Sequence, residues 1–211
     1  MSAPRTLARL DGEARRSLGH VPARVGLLGG SFNPAHEGHR HVSVEALRRL
    51  RLDQVWWLVS PQNPLKAVDG MDGLAARLAS ARAAAAHPRI LATDLERSLG
   101  TRFTVDTIAA LRRAYPETRF VWLAGADILG QLPRWKRWPD VLAALPLAIL
   151  DRPGHAGAAL AGQVATRYAT QRVAPDRARD LAGREAPAWT FIRCRLNAQS
   201  ATALRARRAD R

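Results

Sequence analysis

The densest set of side chains able to do chemistry lies at residues 29–39, Gly29-Gly30-Ser31-Phe32-Asn33-Pro34-Ala35-His36-Glu37-Gly38-His39. Paired glycines let a backbone turn sharply and approach a ligand closely. Asn33 and Pro34 favour the start of a helix, which puts His36 and His39 in its first turn. At a spacing of three the imidazoles share a face, and the helix N-terminus adds N–H groups and positive dipole potential to it. Two ring donors and oriented amides make an anion site. Such a site suits a polyphosphate whose charge has to be stabilised while a group is transferred.

Competing motifs fit poorly. A Walker loop ends in Gly-Lys-Ser/Thr, which is missing here, and glycines at 26, 29, 30 and 38 do not have the spacing of the dinucleotide fingerprint. Zinc on His36 and His39 would want a third ligand and a wider helical spacing, and no second His/Cys cluster accompanies them. The single Cys194 excludes a disulfide scaffold and an all-cysteine zinc site, and it fits a reducing compartment.

The elements that must position these residues follow from hydrophobic pattern. Val25 to Gly29 is a short apolar run ending in glycine, a buried strand feeding a turn. Val42, Leu47 and Leu50 mark the face of a following helix. Gln54 to Ser60, Arg89 to Asp94, Arg119 to Ala124, Leu145 to Asp151 and Ala188 to Cys194 read as further strands. Asp72 to Ala86 and Thr104 to Ala114 read as helices. Strands alternating with helices predict a doubly wound, Rossmann-like parallel sheet of five to six strands in one α/β domain over residues 25–211. Residues 1–24 alternate Arg, Ala and Leu without a firm pattern and are expected to form an extension outside the fold. Ligands in such sheets bind beyond the carboxyl ends of the strands, near the point where strand order reverses.

The whole chain has 211 residues, 47% of them hydrophobic, enough for a real core. Apolar runs stop well short of the roughly 20 residues of a membrane span. The Arg-rich first 24 residues lack the apolar stretch of a signal peptide. These features predict a soluble, cytoplasmic protein without a membrane partner. The formal net charge is +15, with Lys66 and Lys136 the only lysines. The excess favours anionic partners without choosing among them. No recognition-helix or aromatic-basic stacking motif accompanies it, so nucleic acid is not the expected partner.

Gly-Gly-Ser-Phe-Asn-Pro-x-His-x-Gly-His resembles the signature of the nucleotidyltransferase superfamily that includes the nicotinate mononucleotide, nicotinamide mononucleotide and pantetheine-phosphate adenylyltransferases. Further segments follow in order. Pro61-Gln62-Asn63-Pro64-Leu65-Lys66 resembles a Pro-x-x-x-Pro-His-Lys loop, with Leu65 in place of the histidine. Phe103 to Thr107 is similar to a Tyr-Thr-x-x-Thr segment, Gly125-Ala126-Asp127 to Gly-x-Asp, and Leu132 to Trp135 to Phe/Leu-Pro-x-Trp. Arg152-Pro153-Gly154 matches Arg-Pro-Gly. Gln199 to Arg205 resembles Ile-Ser-Ser-Thr-x-Ile-Arg, with Gln199 and Ala201 as departures. The combination points to the bacterial nicotinate mononucleotide adenylyltransferases within that superfamily.

The resemblance implies adenylyl transfer from ATP to nicotinate mononucleotide, with His36 and His39 as catalytic donors to the phosphates. It implies ATP or phosphate contacts from Gly29, Gly30, Ser31, Phe32, Lys66, Asp127, Ser200, Thr202 and Arg205. It implies acceptor contacts from Asn33, Thr104, Trp135 and Lys136, with Trp135 stacked on the nicotinate ring and the Thr104 backbone at its carboxylate. Structural alternatives stand beside several of these: Asp127, Thr104, Ser200 and Thr202 could cap helices, and Trp135 could be core. Mg2+ is expected to arrive on the triphosphate without protein ligands. Nicotinamide mononucleotide and pantetheine phosphate are the alternative acceptors.

Overall fold

The computed structural model describes residues 5–61, 71–151 and 154–194. In chain order the elements are α1 (Arg5–Leu18), β1 (Arg24–Gly30), α2 (Glu37–Arg49), β2 (Gln54–Val59), α3 (Leu74–Ala85), β3 (Ile90–Thr93) and the short α4 (Leu95–Ser98). They continue with α5 (Thr104–Ala114), β4 (Arg119–Gly125), α6 (Ala126–Gln131), α7 (Trp138–Ala144), β5 (Leu147–Leu150), α8 (Ala156–Ala161), α9 (Gln163–Arg167) and β6 (Trp189–Ile192). Tight 3-10 turns occupy Leu132–Arg134 and Pro175–Gly183.

The strands form one all-parallel sheet in the order β3-β2-β1-β4-β5-β6. Helices cover both faces, so the strands are apolar almost throughout, and every residue of β2 is buried. Alternation sorts the side chains between two cores. Val25, Leu27, Trp56 and Leu58 face one layer with residues of α5, α6 and α7. Leu28, Val55, Trp57 and Val59 face the other with α2, α3 and the 175–183 turn. Strand order reverses between β1 and β4. The carboxyl ends of those two strands, Gly29-Gly30 and Gly125, therefore open onto the crevice where such sheets bind ligands.

The doubly wound sheet matches the expectation from sequence, with six strands. The reading of residues 1–24 needs correction, because Arg5–Leu18 forms a helix against the domain. Leu7 and Leu10, three residues apart on one face, are buried in the same core as Leu95, Ile108 and Tyr115. The Tyr115 hydroxyl donates to the Leu7 carbonyl. Burial, and then the neighbouring Asp11 carboxylate, push that phenol above its ordinary range. Two buried leucines among arginines and alanines give too short a periodic signal to be read without the surface they meet. Among the described residues, no helix is long and apolar enough to cross a membrane.

If α1 belongs to the core, Leu10→Ala should cost about 2–5 kcal/mol of stability, since Leu10 is fully buried. Urea unfolding of the two proteins measures this directly, and an unchanged midpoint would return α1 to the status of an appendage.

Candidate active site

β1 ends in two residues without side chains, and the surroundings explain why. A Cβ on Gly29 would lie 2.9 Å from the Trp122 ring, and one on Gly30 would lie 3.3 Å from the Phe32 ring. Both glycines remain in the strand, paired with Leu58 and Val59. The sharp step comes later, at Phe32, whose φ of 48° lies in the left-handed region. The glycines thus permit close packing, and the turn expected of them is made by Phe32 in a backbone conformation that L residues seldom adopt.

That turn sends the Phe32 ring into the core, 2% exposed, where it stacks on Trp57 with ring centroids 5.1 Å apart. Any contact of Phe32 with a nucleotide would have to come from its backbone. His39 lies against this platform, 4.7 Å from Phe32 and 5.8 Å from Trp57. The Trp57 indole donates to Ser43 Oγ at 2.7 Å, and Ser43 donates to the His39 carbonyl at 2.8 Å. Trp57 therefore holds α2 as well as filling the core.

The histidine pair is built into the start of α2. The helix begins at Glu37 with His36 as its N-cap, later than the Asn33-Pro34 start expected from sequence. His36 Nδ1 accepts from the Gly38 amide at 3.1 Å, and His39 Nδ1 accepts from the His36 amide at 3.2 Å. The ring centroids are 3.9 Å apart. A nitrogen that accepts from an amide must present its lone pair, so the proton of each neutral ring sits on Nε2. The cap thus fixes the tautomer in which both rings can donate through Nε2. Asn33, expected to meet the acceptor, is buried, and its Oδ1 accepts from the Asp72 amide at 3.3 Å.

Beside Gly29 and Gly30 lies a cavity of about 260 Å³. Trp122, Trp135 and Phe103 form its aromatic walls, and Thr104 brings the N-terminal turn of α5 to it. Trp135 meets Trp122 edge to face, with centroids 6.0 Å apart. Arg102, Arg134 and Lys136 are exposed residues of its lining, and Lys136 Nζ sits 4.1 Å over the Phe103 ring. Flat rings, cations and helix amides are what a planar anionic heterocycle would need.

Glu96 also lines this cavity, although it is only 6% exposed. Burial raises its carboxyl pKa from 4.5 to about 7, against smaller lowering by hydrogen bonds from Ser60 and Thr107. Thr107 Oγ1 lies 3.4 Å from Glu96 Oε1 and 2.8 Å from Thr101 Oγ1.

The structure brings Gly29, Gly30, Thr104, Trp135 and Lys136 together around the cavity. His36 and His39 rise from the loop after β1, and Asp127 lies half-buried in the first turn of α6. Thr104 is the first residue of α5, and the N-cap itself is Phe103. Ser31 contributes a carbonyl to the frame, and its hydroxyl is buried with no hydrogen-bond partner among the described residues. Lys66, Ser200, Thr202 and Arg205, with the Leu65 and Ala201 departures, lie outside the described residues. Sequence reasoning missed Trp122, Glu96, Arg102 and Arg134. Trp122 pairs with Leu27 and reads as an ordinary core residue of a strand, whereas Glu96 and Arg102 carry the positional signal of the 94–104 stretch that follows β3 at the carboxyl end of the sheet, and Arg134 that of the 132–135 segment.

A family model described as Cytidylyltransferase-like matches residues 27–207. Among curated proteins, one from Cereibacter sphaeroides is 52% identical over 86% of this chain and 96% of its own length. Another from Parvibaculum lavamentivorans is 51% identical over 92% of this chain and 96% of its own. Both carry the name "Probable nicotinate-nucleotide adenylyltransferase". Among solved structures, a nicotinic acid mononucleotide adenylyltransferase from Plasmodium falciparum complexed with NaAD aligns with a TM-score of 0.65 at 14% identity. That alignment covers 87% of this chain and 82% of the other, and it shows a shared fold.

Glu96 makes stability depend on pH with a definite sign. Between about 4.5 and about 7 the folded protein keeps a proton that the unfolded chain has released. Stability from this group is therefore highest below that window and falls as pH rises through it. Glu96→Gln removes the loss and should gain up to about 3 kcal/mol on wild type between pH 4.5 and pH 8. Urea titrations at the two pH values decide it, and a difference that does not change with pH refutes the buried-acid assignment.

Proposed function

The chain belongs to the cytidylyltransferase-like family, and from that premise we propose that it transfers the adenylyl group of ATP to nicotinate mononucleotide. One observation carries the reading. An aromatic cavity lined by exposed cations meets the strand end from which a tautomer-fixed histidine pair rises. The shared name of relatives about half identical over nearly the whole chain supports it.

In this reading the pyridine ring stacks on Trp135, and its carboxylate meets the first turn of α5 at Thr104 with Lys136 nearby. A phosphate oxygen of the mononucleotide attacks the α-phosphorus of ATP. One P–O bond forms, the bond to the β-phosphate breaks, and pyrophosphate leaves with deamido-NAD as the other product. The attacking oxygen is already anionic, so the protein needs neither a covalent nucleophile nor a strong base. Its work is to hold two mutually repelling anions in line and to stabilise charge as the phosphoryl group passes between them.

His36 and His39 supply Nε2–H donors for that charge, held by a cap that leaves little to reorganise during reaction. The glycines let the nucleotide lie close to the end of β1, and the half-buried Asp127 faces the nucleotide from the start of α6. Lys66, Ser200, Thr202 and Arg205 complete the phosphate contacts in this assignment. Among the described residues no group of three His, Cys, Asp or Glu side chains could hold a metal ion. A divalent ion, Mg2+ in our reading, comes as part of the ATP complex.

Acceptor choice follows from the cavity. Nicotinamide mononucleotide lacks the carboxylate that the α5 amides and the cations reward, and pantetheine phosphate needs a longer apolar channel. Pyrophosphate release with ATP and each acceptor in turn should be fastest with nicotinate mononucleotide, and a preference for either other compound rejects the assignment. In the same assay, His39→Ala should lose about 10²–10³ in turnover while circular dichroism shows the fold intact. Near-normal turnover would remove His39 from the mechanism.

A further inference from the structure

Arg77, on the first turn of α3, is 2% exposed and forms no ion pair with a described residue. Its guanidinium instead donates to four backbone carbonyls. Nη1 reaches Ser31 and Ser60, each at 2.7 Å, Nη2 reaches Pro61 at 2.9 Å, and Nε reaches Asp72 at 2.8 Å. Burial lowers its pKa from the ordinary arginine value, yet a guanidinium stays charged in proteins. A buried cation forked onto three separate chain segments is costly unless those carbonyls need it.

The segments are those that carry the site. Ser31 lies between Gly30 and the left-handed step at Phe32 that sets the histidine pair on its platform. Ser60 donates its amide to the Gly30 carbonyl at 3.0 Å and its hydroxyl to Glu96, and it lines the cavity. Pro61 follows Ser60 in the loop after β2, Asp72 immediately precedes the start of α3, and the Asp72 amide is tied to Asn33. One planar group thus joins the loop after β1, the loop after β2 and the entry to α3.

We propose that Arg77 is a positioning residue, whose guanidinium fixes the histidine-bearing loop after β1 relative to the aromatic cavity at the end of β2. This rests on the adenylyl-transfer reading, because only a reaction joining substrates on both sides needs that relation held. Lysine cannot replace it, since an ammonium has no planar fork to span Ser31, Ser60 and Pro61 together. Loss of the fork lets the loops relax independently, and a displacement near 1 Å between reacting groups costs on the order of 10²-fold in rate.

The test uses Arg77→Lys and Arg77→Ala in the full chain, assayed well below each variant's unfolding temperature. Turnover of ATP with nicotinate mononucleotide should fall by roughly 10–100-fold. Added guanidinium ion should restore part of it in Arg77→Ala, and none in Arg77→Lys. Nitrogen-15 NMR of the imidazoles should show the His36 and His39 resonances displaced, with His20 and His155 unmoved. A folded variant with wild-type turnover and unshifted His36 and His39 signals overturns the proposal. So does failure of both variants to fold, which would make Arg77 a purely structural residue. If wild type releases no pyrophosphate with any acceptor, the functional reading fails, and the imidazole spectra still decide whether Arg77 positions the histidines.

Discussion

The carboxyl end of the sheet depends on how closely the β1 backbone approaches its neighbours. β1 is central, hydrogen-bonded on both sides by parallel strands, so its residues cannot shift to make room. Trp122, on the adjoining strand β4, occupies the space that a Gly29 side chain would need. The same indole then forms a cavity wall and meets Trp135 edge to face. The absence of a side chain at Gly29 therefore leaves room for Trp122, and through it for the edge-to-face contact with Trp135. Beyond that wall the chain leaves the strand with Gly30 packed against the Phe32 ring, and the left-handed step at Phe32 forms the platform beside His39.

Polar groups around this frame are placed by burial. His36 and His39 use one nitrogen each to satisfy amides that the start of a helix leaves unpaired, so a structural demand of α2 also orients the donors. Arg77 satisfies carbonyls at the exits of β1 and β2, which no neighbouring strand reaches. Glu96 is the exception. Its environment opposes ionisation, and its hydroxyl partners only partly offset that. A group kept at such a cost beside an aromatic cavity is typical of sites where local stability yields to function.

Much of this was legible in sequence, for physical reasons that differ by element. The six strands are fully covered, so they appear as unbroken apolar runs bounded by glycine, proline and charge. The Gly29–His39 stretch announces itself because its residue types are rare together. Helix α1 was missed because two leucines make too little pattern without the groove that receives them. The helix start was misplaced because Asn33 and Pro34 suit an N-terminus in isolation, whereas the Asp72 amide claims Asn33 and the helix waits for His36. Arg77 is the hardest case. Within an alanine-rich helix an arginine reads as solvated surface, and only the meeting of the loops after β1 and β2 at the start of α3 makes it an interior residue.

Charge is likewise informative by pairing more than by number. On α2, Arg40 pairs with Glu37, and Arg48 and Arg49 with Glu45; near the end of the chain Arg177 pairs with Asp180. Surface pairs of this kind contribute little to stability, and they cancel each other's field at a distance. Arg102, Arg134 and Lys136 form no ion pair with a described residue, and all three are exposed at the lining of the aromatic cavity. With no described acid paired to them, their fields are not cancelled as those of the paired arginines are. Among the described residues, the +15 of the whole chain thus reaches the cavity through those few cations. In the proposed reading it is these cations that favour an anionic ligand, and the paired arginines elsewhere add nothing to that choice.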